Sequence, residues 1–140
     1  MRAYIASKYI SHKKINEEIS CALRKNGIDT FLPQSINVDA VLPEQMRDVS
    51  EICFHALETC NIVLVVSPFG QSVSCEIGYA IALKKKGEDK HILIYDCSEK
   101  EHRWRNEAMI VPYVEARFDD LNKVIEYCNC LLYTSDAADD

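Results

Sequence analysis

Residues 61–81 read Asn-Ile-Val-Leu-Val-Val-Ser-Pro-Phe-Gly-Gln-Ser-Val-Ser-Cys-Glu-Ile-Gly-Tyr-Ala-Ile. Ile62 to Val66 is a continuous, mostly β-branched run without polar alternation. Such a run suits a strand covered on both faces, as in the middle of a parallel sheet. Pro68 to Gln71 carries turn residues. From Ser72 the spacing changes: Val73, Ile77, Ala80 and Ile81 share one helix face. Lys84-Lys85-Lys86 ends that helix, where cations complement the dipole, and Gly87 follows at the expected cap. A buried strand, a turn and a helix in that order form the repeating unit of an α/β fold.

Working toward the N-terminus, Asp29 to Leu32 reads as a short strand stopped by Pro33. Before it, Ile15, Ile19, Ala22 and Leu23 recur at helical spacing, capped by Gly27. Arg2 to Ser7 reads as the first strand. Gln34 to Val41 reads as loop, and Pro43 opens a helix with Met46, Val49, Ile52, Cys53, Ala56, Leu57 and Cys60 on its apolar stripe. Toward the C-terminus, Lys90 to Cys97 holds the buried-type strand Ile92-Leu93-Ile94-Tyr95. Ser98 to Asn106 is a polar loop, Met109 to Val114 a last short strand, and Asp119 to Cys128 a last helix. Right-handed crossovers leave few topologies. The expected fold is α/β: one flavodoxin- or Rossmann-like domain over residues 1–129, with a five-stranded parallel sheet ordered 2-1-3-4-5 and helices on both faces.

The composition bounds the function. The chain has 140 residues, 48% hydrophobic and 27% charged, which is ordinary for one globular domain. The formal net charge of -6 argues against a nucleic-acid polymer as partner. The 7 cysteines are odd in number and scattered, with no CxxC pair and no zinc-type spacing, so reduced thiols and no metal are expected. No secretory h-region and no membrane-length apolar run occurs, so a cytoplasmic protein without membrane partners is expected. No GxGxxG or P-loop is present, so those dinucleotide- and ATP-binding motifs are unsupported.

Residues 130–140, Cys-Leu-Leu-Tyr-Thr-Ser-Asp-Ala-Ala-Asp-Asp, do not continue the helical pattern before them. They resemble a translation of the transposase adapter used in short-read library preparation. The expectation is an adapter-derived or disordered tail.

Ligands of open parallel sheets bind beyond the carboxyl ends of the strands. Three segments qualify: Ala6-Ser7-Lys8, Pro33-Gln34, and Ser67 to Ser72. Glu76 follows the third and is expected in the first turn of its helix, where unpaired N–H groups and the dipole favour its ionised form. A positioned carboxylate is what a reaction through an oxocarbenium-like sugar requires. The same carboxylate equally serves to stabilise a helix start. His12, His55 and His102 are placed on the surface, and His91 opens a strand. Trp104 is either a lid that stacks on a base or a packing anchor. No His or Asp is placed beside Ser67, Ser72 or Ser74.

The segment Ser72-Val73-Ser74-Cys75-Glu76-Ile77-Gly78-Tyr79-Ala80 resembles the signature of the nucleoside 2-deoxyribosyltransferase family. The similarity extends to Tyr4-Ile5-Ala6, to Gly27 through Pro33, to Cys60 through Val66, and to Glu107-Ala108-Met109-Ile110, over about residues 2–128. It implies an enzyme that cleaves the N-glycosidic bond of a 2′-deoxynucleoside and passes the deoxyribosyl group to another base, or to water in the hydrolase branch. Glu76 takes the place of the nucleophile, Tyr4 of the residue that holds it, and Met109 falls in a segment near the next subunit's site. Ser7, Gln34, Asn37, Gly70 and Ser72 fall near sugar or base by loop position, and Gly78 would allow close helix-to-strand packing. The resemblance implies a homo-oligomer, a nucleoside or nucleotide and a free nucleobase as partners, and no cofactor. Three departures stand out: Cys53 aligns with a frequent Asp, Gly70-Gln71-Ser72 replaces a loop that often holds an Asp, and Glu107 replaces a phosphate-binding Ser. Ser67 with Ser74-Cys75-Glu76 also resembles part of the TIR domains, which implies NAD cleavage or signalling. A non-catalytic nucleotide-binding module on the same fold is the remaining alternative.

Overall fold

Side-chain alternation along the strands assigns the helices to their faces. The computed structural model describes residues 1–36 and 42–139. In chain order the elements are β1 (Arg2–Ala6), α1 (Lys13–Lys25), β2 (Asp29–Phe31), α2 (Pro43–Thr59), β3 (Ile62–Ser67), α3 (Gln71–Lys85), β4 (His91–Asp96), β5 (Ala116–Phe118) and α4 (Leu121–Asp139). The sheet is five-stranded and all parallel, in the order β2-β1-β3-β4-β5. That is the topology expected from the sequence.

β3 is buried along its whole length, as its unbroken apolar run requires. Its successive side chains enter two separate cores. Val63 and Val65 join Tyr4, Ala6, Ile92 and Ile94 under α2 and α3. Ile62, Leu64 and Val66 join Ala3, Ile5 and Leu93 under α1 and α4. The parallel register sets Tyr4 opposite Val63, and Val63 opposite Ile92. A tyrosine therefore stands in an otherwise aliphatic row beneath α2 and α3. The turns after α1 and α3 hold Gly27 and Gly87 at φ 83° and 93°, the left-handed conformation expected of those caps.

Three expectations change. The last strand lies at Ala116–Phe118 and not within Met109 to Val114. Residues 111–113 form a 3-10 turn around Pro112, which has no N–H to offer a ladder, while Ile110, Tyr113 and Val114 pack against the α3 core instead. α4 runs past Cys128 to Asp139, because Leu131 and Leu132 continue the stripe of Val124 and Cys128 at i+3 and i+4 spacing. Gly78 is not a close-packing glycine: a Cβ built there meets no atom within 4 Å.

Lys90 is a buried cation that the sequence pattern does not reveal. Its Nζ donates to the carbonyl oxygens of Leu57, Glu58 and Cys60 at 2.9, 2.8 and 2.6 Å. These acceptors include the open C-terminal carbonyls of α2 and the turn into β3, so one ammonium caps a helix and fixes the entry to the central strand. Lys90→Met is expected to lower unfolding stability by roughly 2–3 kcal/mol, since charge-assisted bonds are lost and buried carbonyls are left unpaired. Urea unfolding at neutral pH measures this; an unchanged midpoint would show that the cap is dispensable.

Candidate active site

Glu76 is the sixth residue of α3, so it occupies the second turn and not the first. Its N–H falls inside the helical ladder, and the first-turn N–H groups lie a full turn away. The side chain leans to the flank of α3 that faces β1 and α2. Tyr4 rises to meet it from β1, fully buried, its ring stacked on Phe31 at 5.2 Å between centroids. Cys53 reaches the same point from α2, half-buried against the same core. The Tyr4 hydroxyl acts on both the Glu76 carboxylate and the Cys53 thiol.

The electrostatics of this trio differ from the sequence expectation. Burial pushes the Glu76 carboxyl up to about 7, and the Tyr4 hydroxyl offsets only part of that by favouring the carboxylate. Tyr4 is pushed up as well, by burial first and then by the neighbouring carboxylate. Cys53 is raised mainly by burial. Tyr4 Oη and Glu76 Oε2 are both shielded from solvent and, among the described residues, lack a hydrogen-bond partner of good geometry. Buried polar groups are normally paired, so this loosely satisfied hydroxyl and carboxylate oxygen make the trio a candidate site.

The other residues singled out from sequence divide among separate places. Ser7, Gly70 and Ser72 line a cleft of about 290 Å³ beyond the ends of β1 and β3, together with Lys8 and Tyr9. Gly70 is the N-cap of α3, and Ser72 is an exposed first-turn residue. The Ser7 hydroxyl lies 3.3 Å from His12 Nδ1, which makes His12 half-buried rather than a surface residue. Gln34 is held by α1: it accepts from Asn16 Nδ2 at 3.0 Å and donates to Glu17 at 3.3 Å. Asn37 lies outside the described residues. Met109 is 79% exposed and borders a larger cavity of about 770 Å³. That cavity lies along the opposite flank of α3 and does not contain Glu76.

His102 is buried, not on the surface, and it stands beside both a serine and an aspartate that the sequence could not place. Ser67 Oγ is 2.7 Å from His102 Nδ1, and Asp96 Oδ1 is 3.3 Å from the same nitrogen. A nucleophilic triad needs serine and carboxylate on opposite ring nitrogens. Here they share one, and Nε2 donates to the Ser98 carbonyl at 2.7 Å. The arrangement is structural. Asp96 also accepts from Trp104 Nε1 at 2.8 Å, from Arg105 Nη2 at 2.6 Å and from Arg117 Nε at 2.6 Å. Burial alone would raise the Asp96 carboxyl, but Arg105, Arg117 and Trp104 outweigh it and hold it below the usual range. Of the two roles open to Trp104, the packing anchor is the one observed. Among the described residues no cluster of three or more His, Cys, Asp or Glu is placed to hold a metal, and no helix is long and apolar enough to cross a membrane.

No family model matches the chain, and no curated protein matches it in sequence. Among solved structures it is similar to a 2-deoxyribosyltransferase from the psychrotolerant bacterium Bacillus psychrosaccharolyticus. The TM-score is 0.70 at 18% identity, over 89% of this chain and 90% of that one. It is also similar to a conserved protein from Enterococcus faecalis V583, with a TM-score of 0.64 at 15% identity, over 90% of this chain and 95% of that one. Likeness at these identities shows a shared fold.

A carboxyl raised from 4.5 to about 7 on folding is bound to its proton more tightly in the native state. The folded state is therefore favoured at low pH and loses that advantage as pH rises through about 7. Glu76→Gln, which cannot ionise, is expected to be more stable than the parent at pH 8, by up to about 3 kcal/mol. The gap should close as pH falls toward 4.5. Thermal melts of both proteins across that window test this; parallel pH curves would place the Glu76 carboxylate in water.

Proposed function

We propose that the chain cleaves the N-glycosidic bond of 2′-deoxynucleosides through Glu76 and transfers the deoxyribosyl group to another base. The observation that carries this is the Glu76 carboxylate held beside the Tyr4 hydroxyl in a shielded place, with Glu76 Oε2 and Tyr4 Oη short of a well-formed hydrogen bond among the described residues. The fold shared with a 2-deoxyribosyltransferase supports the choice of sugar chemistry over other uses of a positioned carboxylate.

In this reading ionised Glu76 attacks the anomeric carbon as the bond to the base breaks, and the leaving nitrogen takes the electron pair. A covalent deoxyribosyl ester forms. An acceptor base then attacks the same carbon through a ring nitrogen, returns the electron pair to Glu76 and gives up its N–H proton to solvent. Tyr4 is the positioning residue: its hydroxyl favours the carboxylate form that attacks. Tyr4 and Cys53 both hold their protons tightly, so neither is a good acid for the departing base, which takes its proton from solvent. Ser7, Gly70 and Ser72, at the strand ends, are proposed to bind the sugar, and Gln34 the base. Met109 lies across α3 from the Glu76 of its own chain, so its proposed contact is with the substrate of a second copy in a homo-oligomer.

The test is product chromatography after incubation with separate deoxynucleosides, deoxynucleotides and NAD, with and without adenine or cytosine. Base exchange that needs an acceptor is expected, with a fall of roughly a thousandfold or more in Glu76→Ala. Acceptor-independent base release would assign hydrolysis instead, and nicotinamide release would assign NAD cleavage. Inactivity of folded protein on every substrate would refute enzymatic function. kcat/KM for the parent should rise with pH to a plateau above about 7. Tyr4→Phe should move that limb upward, lowering the rate on the acid side by about tenfold per pH unit moved; an unmoved limb would remove Tyr4 from the positioning role.

A further inference from the structure

α3 has two working flanks. Its helical twist puts Glu76 roughly 160° around the axis from Gly78. Ser74, Gly78, Ile81 and Lys85, spaced for a single flank, form one wall of the 770 Å³ cavity. Phe69, Trp104 and Tyr113 give the rest of the lining an aromatic part. This part is set in advance: Trp104 is only 7% exposed and its indole N–H is fixed by the buried Asp96. At Gly78 no atom lies within 4 Å of a built Cβ, so the open space reaches the helix backbone.

Charge around the opening differs from charge on the chain as a whole. Lys8, Lys85 and Arg103 border the cavity against two carboxylates, Glu101 and Glu107, on a protein of net charge -6. Lys85 Nζ stands 5.1 Å from the Tyr113 ring centroid, so a cation and an aromatic face are presented together. Arg103 has only a loose partner in Glu101, at 3.8 Å. A pre-formed concave space with aromatic walls and a few cations at its mouth is the usual construction of a small-molecule site.

We propose that this cavity is a second ligand site, separate from Glu76, for a nucleotide-sized aromatic anion. The base would lie between the aromatic wall and the bare backbone at Gly78, with the anionic group toward Lys85 and Lys8. Met109 borders the same cavity, so this site competes with the second-copy contact proposed above for Met109, though not with the chemistry proposed for Glu76.

Trp104 is the chain's one tryptophan, so its emission reports on this cavity directly. The probe is adenosine 5′-monophosphate, with uncharged adenosine as control. A saturable change in emission is expected with the monophosphate, and adenosine should bind at least ~10-fold more weakly. Gly78→Leu fills the open space, and leucine is a better helix former than glycine, so the fold should hold while affinity falls at least ~10-fold. Lys85→Gln, on an exposed helix end, should weaken the monophosphate without affecting adenosine. Glu76→Ala should respond like the parent. The proposal is overturned if the monophosphate gives no response at millimolar concentration. It is also overturned if Gly78→Leu and Lys85→Gln both bind like the parent, or if Glu76→Ala abolishes the response. Sedimentation velocity covers the remaining case: dissociation of an oligomer by Gly78→Leu would mean that a second copy fills the cavity.

Discussion

β3 leaves no side chain in water, and this burial governs the rest of the molecule. A strand covered on both faces suits the middle of a parallel sheet roofed by helices on each side. The parallel pairing with β1 and β4 follows, as does the assignment of α2 and α3 to one face and α1 and α4 to the other. It also brings the ends of β1, β3 and β4 to one side of the sheet, where the loops that carry polar residues gather.

Within so apolar a frame, every buried polar group needs a partner or a purpose. Lys90 and Asp96 have partners. Lys90 meets three carbonyls, and Asp96 collects an indole, two guanidinium groups and an imidazole. These two groups hold the ends of β4: one ties its start to α2, and the other ties the long β4–β5 connection onto the sheet. Tyr4 and Glu76 are the contrast. They meet without a well-formed hydrogen bond at Tyr4 Oη or Glu76 Oε2 among the described residues, and burial raises the pKa of both. Stability would be better served by an aliphatic pair at this point, and the difference is the physical basis for reading it as a site.

α3 borders two separate spaces. One flank presents Glu76 to Tyr4 and Cys53, and the other presents Ser74 and Gly78 to an open cavity. Glu76 and Gly78 stand two positions apart in the motif yet border different spaces. A short motif on a helix can thus hold residues with unrelated tasks, because two positions apart on a helix means nearly opposite directions.

Much of the fold was legible in the residues. The unbroken run from Ile62 to Val66, the change of period after Ser72, and the glycines at 27 and 87 determined the element order, the parallel sheet and its topology, because burial and backbone sterics act locally and leave a pattern. Glu76, Tyr4 and Cys53 could be named from a motif resemblance, but nothing in their spacing shows that they meet. The meeting depends on the register that sets Tyr4 opposite Val63 and on the packing of α2 beside α3. The same holds for the Glu76 titration, which sequence position alone assigned to the helix dipole and which desolvation in the assembled core controls. The short β5 at Ala116–Phe118, the burial of His102 and the capping by Lys90 were likewise decided by tertiary contacts. Each is a polar or weakly patterned segment whose partners lie far along the chain, so the free energy that places it is absent from any local window.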